Sequence, residues 1–472
     1  MKLYKIYAGG EFVTSSSEFE VTNSFTQEVF AKSFFADKQI LEKSIIAAQN
    51  ALLSMKNLSS FEKYSILMEI AAKMQAKKSY LAEVLSNEAC KPLKYAIGEI
   101  DRAIQTVIVA AEEAKRIEGE YISIDWTAAG KGKEAWVKYF PVGLIAGIAP
   151  FNFPLNLAIH KIAPAIAVAC PIILKPASST PLSTLELAEI IDETALPKGA
   201  LSILPMDRST GNQLVTDERF KLLTFTGSPE VGWKMKNDAG KKKVVLELGG
   251  NAGVIVTETA DIEIAVSKCV VGGFAYSGQV CIHAQRIYVH RKIFNEFTEK
   301  FSKAVKKLKI GHHLELDTDI SSMIDIQNAI RVEEWVNEAV ENGARLICGG
   351  KRENAFYPPT ILTDTHKDMK VCAMEVFGPV VTLEAYDDFD LAIDYINDSR
   401  YGLQAGVFTN SIIEMNKAFD KLEVGGVVIN DVPTFRVDHA PYGGIKDSGL
   451  GREGVKYAMH DMLEAKILIK PF

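Results

Sequence analysis

The run "VGLIAGIAPFNFPLNLAIHKIAPAIAVACPIILKP", residues 142–176, decides the fold. Its first part is short and apolar and stops at Pro150, which reads as a buried strand. "PLNLAIHKIAPAIAVA" reads as a helix opening on proline, whose missing N–H costs nothing in a first turn. "PIILKP" is again a short apolar strand. Strand, helix and strand in so short a span make a unit whose helix carries the chain back, so that the strands run parallel. The alternation continues. "TPLSTLELAEIIDET" predicts a helix opening at Thr180 with Pro181 at its first position, "ALSILP" a strand and "TGNQLVTD" a helix. "KLLTFTGS", "PEVGWKMKNDAG" and "KKVVLELGG" then predict strand, helix and strand. Such alternation signals an α/β fold with a doubly wound, mostly parallel sheet.

Outward from this core, a second α/β run starts near Asn251. "AGVIVT" is a strand, "ADIEIAVSKCVVGGFAYSG" a helix reaching Ser277, "QRIYVH" a strand and "KIFNEFTEKFSKAVKKLKI" an amphipathic helix. Later strands and helices follow at "VTLEAYD", "DLAIDYINDS", "AGVFT" and "GGVVIND". Upstream, residues 37–115 carry apolar residues at helical spacing. Between them "EYISIDW" and "EAWVKYFP" flank the polar "TAAGKGK", which reads as a β-hairpin and a candidate for packing between subunits. The tail "MHDMLEAKILIKPF" returns to strand character.

A chain of 472 residues, 47% of them hydrophobic, is long enough for two or three domains. Net charge is −7 without a basic stripe, which argues against nucleic acid as a partner. The short run Lys241-Lys242-Lys243 reads as a solvated edge. The most apolar stretch, 162–174, is shorter than the ~20 residues of a membrane span. The N-terminal residues show no apolar leader, so a cytoplasmic protein is expected. Six cysteines without a CxxC pair suggest neither a zinc site nor a disulfide framework.

Four segments carry the chemistry. "SGQVCIHAQ" holds Cys281, a nucleophile or a small buried thiol. Placed just beyond a helix ending near Ser277, it would gain nothing from the helix dipole, whose C-terminal end is negative. "VVLELGG" ends a strand on Glu247, a solvated carboxylate or a base made stronger by apolar neighbours. "PFNFP" holds Asn152, a turn residue or an amide donor to a developing oxyanion. "MEVFGPVV" holds Glu375 and Phe377.

Taken together and in this order, the segments resemble the aldehyde dehydrogenase superfamily from Gly9 to "APYGGIKDSGLGREG" at 440–454. The resemblance implies two doubly wound α/β domains plus a β oligomerisation arm. Residues 1–121 and 141–250 would bind NAD(P), 251–440 would hold the nucleophile, and 122–140 with 455–472 would join subunits into a dimer or tetramer. It implies that Cys281 attacks the aldehyde, that Asn152 and the Cys281 backbone N–H hold the oxyanion, and that Glu247 activates water. Lys175 would reach the adenosine ribose hydroxyls, the turn at Gly227 and Ser228 would contact the cofactor's phosphates, Glu375 would hold the nicotinamide ribose and Phe377 would pack nearby. Relatives that prefer NAD carry a glutamate where this chain has Ser178, so NADP use is expected. Arg102 matches a helix position where relatives that bind phosphorylated aldehydes carry an arginine, and Arg436 and His439 lie in the loop that walls the family's substrate tunnel, which suggests a small polar or anionic aldehyde. Val280 supplies no further charge, against a doubly anchored phosphate. Three other readings compete: a CoA-acylating semialdehyde dehydrogenase, a non-catalytic relative, and a cofactor-free thiol hydrolase. The presence of Glu247 weakens the first, the intact Asn152–Glu247–Cys281 set the second, and the cofactor segments the third.

Overall fold

In a computed structural model that describes residues 1–471, the run at 142–176 forms the middle of an eight-stranded sheet. Five strands are parallel, in the spatial order Lys243–Glu247, Leu222–Thr226, Ile145–Ile148, Ile172–Lys175 and Leu201–Ile203. The strand order therefore reverses between Ile145–Ile148 and Leu222–Thr226. In open α/β sheets the crevice at such a reversal, beyond the carboxyl ends of the strands, is where ligands bind. Successive residues face opposite cores. Ile145 and Ile172 pack into one apolar cluster and Ala146 and Ile173 into the other, as strand alternation requires.

Two helices on this sheet begin without a capping side chain of their own. Phe153 precedes the helix Pro154–Ala167, and Pro181 precedes Leu182–Asp192. The expectation of Pro181 inside the helix is thus corrected by one position. Buried glutamates from neighbouring helices take over. Glu99 Oε1 accepts the N–H groups of Leu155 and Asn156, each at 3.1 Å, and Glu88 accepts those of Leu182 and Ser183 at 2.6 and 3.0 Å. A carboxylate suits a helix N-terminus because of both the open donors and the dipole. Glu99 also pairs with the fully buried Lys91, whose Nζ donates to the Asn152 carbonyl at 2.6 Å. Glu99→Ala would uncap the helix and leave Lys91 unpaired. We expect it to cost about 3–5 kcal/mol, read as a lowered urea midpoint; an unchanged midpoint would contradict this capping account.

Within the helical spacing of 37–115 the chain breaks at Lys77, into the helices Ser60–Ala76 and Lys78–Ala89. The second sheet has seven strands, with Arg286–His290 and Gln404–Phe408 flanking Gly253–Val256. The helix leading to Cys281 covers only Ile262–Phe274 and stops short of the expected Ser277. Tyr276 and Ser277 have φ of 52° and 53°, and Gly278 follows at 68°. Left-handed backbone costs a non-glycine residue roughly 1–2 kcal/mol. Contacts from distant chain segments hold it in place. The Tyr276 hydroxyl donates to Ala89 O at 3.2 Å and the Ser277 hydroxyl to Ser321 O at 2.8 Å. A Cβ at residue 278 would lie 2.2 Å from Gly378 O, so only glycine fits there.

The hairpin strands Glu120–Ser123 and Lys133–Pro141 form a separate sheet with Leu463–Pro471, which pairs along the whole of the second strand. Of the expected tail 455–472, the part Val455–Asp461 is instead a helix, with Val455 and Met459 in the core of the first sheet.

Candidate active site

A cavity of about 500 Å³ opens at the strand-order reversal of the first sheet. Asn152, Gly227, Ser228, Glu247, Cys281, Glu375 and Phe377 all line it. Asn152 follows the strand Ile145–Ile148, Gly227 follows Leu222–Thr226, and Glu247 ends the next strand. Cys281 and Glu375 reach the cavity from the second half of the chain.

Cys281 is half-buried, and its Sγ lies 3.3 Å from the Tyr442 hydroxyl. Burial pushes the thiol up to about 11; the Tyr442 contact works against this, and the carboxyls of Glu375 and Glu247 add to it. Asn152 Nδ2 donates to the Gln279 carbonyl at 3.0 Å, which uses one of its two hydrogens and leaves the other. Glu247 is buried, and neither carboxyl oxygen has a hydrogen-bond partner among the described residues. Burial, then the nearby Glu453, raises it well above the usual carboxylate range, against the pull of Arg436 and Lys161.

Gly249 and Gly250 are glycines for lack of space. A Cβ on Gly249 would sit 2.1 Å from Glu375 Oε2, and one on Gly250 2.8 Å from the Cys281 carbonyl. Glu375 accepts from Gly250 N–H at 3.1 Å and is pushed up to about 8 by burial. Phe377 has φ of 46° and meets the Phe151 ring edge-to-face at 5.7 Å. The helix Pro229–Asp238 begins at the cavity, and Ser228 does not cap it, so its first N–H groups stay available. Lys175 lies off the cavity lining, its stem against Gly211 and its Nζ 3.5 Å from the Pro176 carbonyl; burial lowers it. Ser178 is half-buried in the loop after the same strand.

The three substrate candidates part company. Arg102 donates to both oxygens of Asp438, at 2.7 and 3.1 Å. Arg436 is buried; it donates to Glu453 at 2.9 Å and lies 3.8 Å from the centre of the Tyr442 ring. His439 is exposed, and its neighbour Asp438 is the residue that turns inward. Sequence reasoning missed Tyr442, Lys161, Asp438 and Glu453. Tyr442 and Glu453 lie inside "APYGGIKDSGLGREG", where the glycines beside them were a usable signal.

The aldehyde dehydrogenase family model matches residues 12–468. The chain belongs to that family. It is 44% identical to a 3-sulfolactaldehyde dehydrogenase of Priestia aryabhattai over 99% of this chain and 98% of that protein. Aldehyde dehydrogenase 21 from Physcomitrella patens, solved with the reaction product succinate, superposes at a TM-score of 0.98 with 47% identity, covering 100% of this chain and 98% of that one. A glyceraldehyde-3-phosphate dehydrogenase of Methanocaldococcus jannaschii complexed with NADP gives 0.93 and 38%, covering 97% and 100%. The protein is an NAD(P)-dependent aldehyde dehydrogenase. The cavity suits the family's nicotinamide cofactor: an uncapped helix N-terminus for a pyrophosphate, a carboxylate pressed on Gly249, and apolar walls at Leu157, Trp335 and Phe377.

Proposed function

We propose that this aldehyde dehydrogenase oxidises a small anionic aldehyde to the carboxylate, accepting NADP, through covalent attack by Cys281. The observation that carries the reading is the unpartnered, buried Glu247 carboxyl lining the same cavity as Cys281 and Asn152. Cys281 first loses its thiol proton to solvent water, the Tyr442 hydroxyl being placed to donate to the resulting thiolate, and Sγ then bonds to the carbonyl carbon as the carbonyl π pair moves to the oxygen. The free hydrogen on Asn152 Nδ2 and the Cys281 backbone N–H, which has no acceptor among the described residues, stabilise the oxyanion. A bound nicotinamide would accept the hydride that leaves the carbonyl carbon. Glu247 then takes a proton from water, the water oxygen attacks the thioester carbon, and the Cys281 sulfur leaves.

The same reading assigns residues 1–121 and 141–250 to the cofactor, with Lys175, Gly227, Ser228, Glu375 and Phe377 as its contacts, and 251–440 to the nucleophile. Its arm would join a homodimer or homotetramer. The exposed Ile467, Leu468 and Ile469 on the arm's outer strand support that. The anionic substrate is supported by Arg102 and Arg436, and by the sulfonate and dicarboxylate in the names of the relatives. Succinic semialdehyde, 3-sulfolactaldehyde and lactaldehyde, each followed at the nicotinamide band, test the reading. The two anions are expected to be oxidised fastest, without CoA. An acyl-CoA formed only when CoA is present would replace hydrolysis with acylation.

Cofactor choice is tested separately. Ser178→Glu places a carboxylate where a 2′-phosphate would lie. The kcat/KM for NADP is expected to fall about tenfold or more relative to NAD. An unchanged ratio would remove Ser178 from the argument.

A further inference from the structure

Against Asn152 and the turn before Cys281 lies a lysine that no step above uses. Lys91 is fully closed to solvent. It follows the helix Lys78–Ala89, which Cys90 ends with a left-handed φ of 47°. A lysine ammonium carries three N–H donors. Here Nζ donates to Glu99 and to the Asn152 carbonyl, the latter at 2.6 Å. The rest of the group faces the rings of Phe153 and Tyr276, whose centres lie 3.8 and 4.3 Å from Nζ.

Asn152 needs such a tether. It occupies the irregular stretch between the strand Ile145–Ile148 and the helix Pro154–Ala167. The helix ladder begins with Leu157 N–H on the Phe153 carbonyl and leaves the Asn152 carbonyl outside it. Among the described residues, Lys91 supplies that carbonyl's one donor. The Asn152 side chain then reaches to the nucleophile's loop, where Nδ2 donates to Gln279 O at 3.0 Å. The same short span braces the other side. Tyr276 packs on Lys91 with its ring, and its hydroxyl donates to Ala89 O at 3.2 Å. Residues 89–91 thus touch both the main chain of Asn152 and the left-handed turn that precedes Cys281. A buried ion pair gains little stability over apolar side chains of similar volume. What the Lys91–Glu99 pair supplies is a donor fixed on the Asn152 main chain.

We propose that Lys91 is a positioning residue for the oxyanion site: by holding the Asn152 carbonyl, it keeps the free hydrogen of Asn152 Nδ2 where the oxyanion forms beside Cys281. The proposal rests on the roles of Asn152 and Cys281 in the reading above. Oxyanion donors act from about 2.7–3.1 Å, and a misplacement of about 1 Å costs roughly 100-fold in rate.

The test uses two variants of the full-length protein. Lys91→Met keeps the length of the side chain and removes the donor. Lys91→Met/Glu99→Gln removes both charges together, and the glutamine oxygen can still accept from Leu155 and Asn156, as Glu99 Oε1 does. In both, kcat on succinic semialdehyde is expected to fall about 10–100-fold, while the double variant keeps a urea midpoint near that of the wild type. A double variant that recovers the wild-type kcat would make the lysine a matter of stability alone and overturns the proposal. In an Asn152→Ala background, Lys91→Met should cost nothing further, since the group it positions is gone. A loss there as large as in the wild-type background also overturns it.

Two thiol reagents ask the same question without cofactor or aldehyde. With p-nitrophenyl acetate, the Cys281 sulfur bonds to the acetyl carbon through a tetrahedral oxyanion and p-nitrophenolate leaves with its electron pair. With iodoacetamide, the sulfur displaces iodide and no oxyanion forms. Lys91→Met should lower the ratio of acylation to alkylation rates about tenfold or more. An unchanged ratio overturns the proposal, and so does a wild type that is alkylated but never acylated. If no aldehyde is oxidised, the reading of function fails while this ratio still decides the role of Lys91.

Discussion

Replacing Cys281 by alanine is expected to lower kcat by about 10⁴-fold or more on every aldehyde, because removing a nucleophile removes the covalent route itself. Among the described residues no other cysteine lines the cavity, so no thiol stands ready to substitute. Cys90, Cys170 and Cys269 are buried in cores, and Cys372 lines a separate surface cavity. Loss of the thiol removes the Tyr442 contact and little packing, so circular dichroism should match the wild type. A residual rate within tenfold of wild type would sink the covalent mechanism. The thiol also predicts a pH dependence. Burial holds it near about 11 without cofactor. Alkylation of Cys281 in the cofactor-free protein should therefore rise with pH through the neutral range, since only the thiolate reacts.

The second large effect is at Glu247. With Glu247→Gln the thioester should form and then stall. Rapid mixing is expected to show a burst of about one reduced nicotinamide per active site, followed by a steady state lower by about 10²–10⁴-fold. Intact-mass measurement should find the acyl adduct on Cys281. The sign of the pH effect follows from the shift. Only ionised Glu247 can take a proton, and burial with Glu453 raises its pKa. Wild-type hydrolysis should climb with pH beyond the ordinary carboxylate range, and Glu247→Gln should flatten that limb. A Glu247→Gln protein that turns over at the wild-type rate with no burst would show that water is activated elsewhere.

Both sheets were legible because fully buried parallel strands are short apolar runs separated by helices, and both expected windings are present. The cavity-lining residues of "PFNFP", "LELGG", "GQVC" and "EVFGP" were legible through the resemblance of those motifs to a known family; strand ends alone point to Asn152 and Glu247, while Cys281 and Glu375 precede the strands Arg286–His290 and Val380–Tyr386. The other side of the site was not. His439 and Asp438 are adjacent in an irregular loop, where no periodicity says which side chain turns inward. The end of the helix before Cys281 was misread because "CVVGGFAYSG" keeps an apolar, helix-compatible pattern. What ends it is the approach of Gly378, Ser321 and Ala89, contacts that local spacing does not encode. The exchange of helix caps by Glu88 and Glu99 was hidden for the same reason.

The left-handed turn at Tyr276–Gly278 also fixes an order of events. Its backbone is favourable only while Ala89, on one sheet's helices, and Ser321 and Gly378, on the other side of the chain, all press on it. No stretch of neighbouring residues can form that turn alone. The nucleophile is therefore expected to be among the last features to assemble as the chain folds, since its contacts are non-local. It is expected to be among the first to be lost when heat or urea loosens those contacts. Inactivation should run ahead of global unfolding, and the enzyme should fall silent while both sheets still stand.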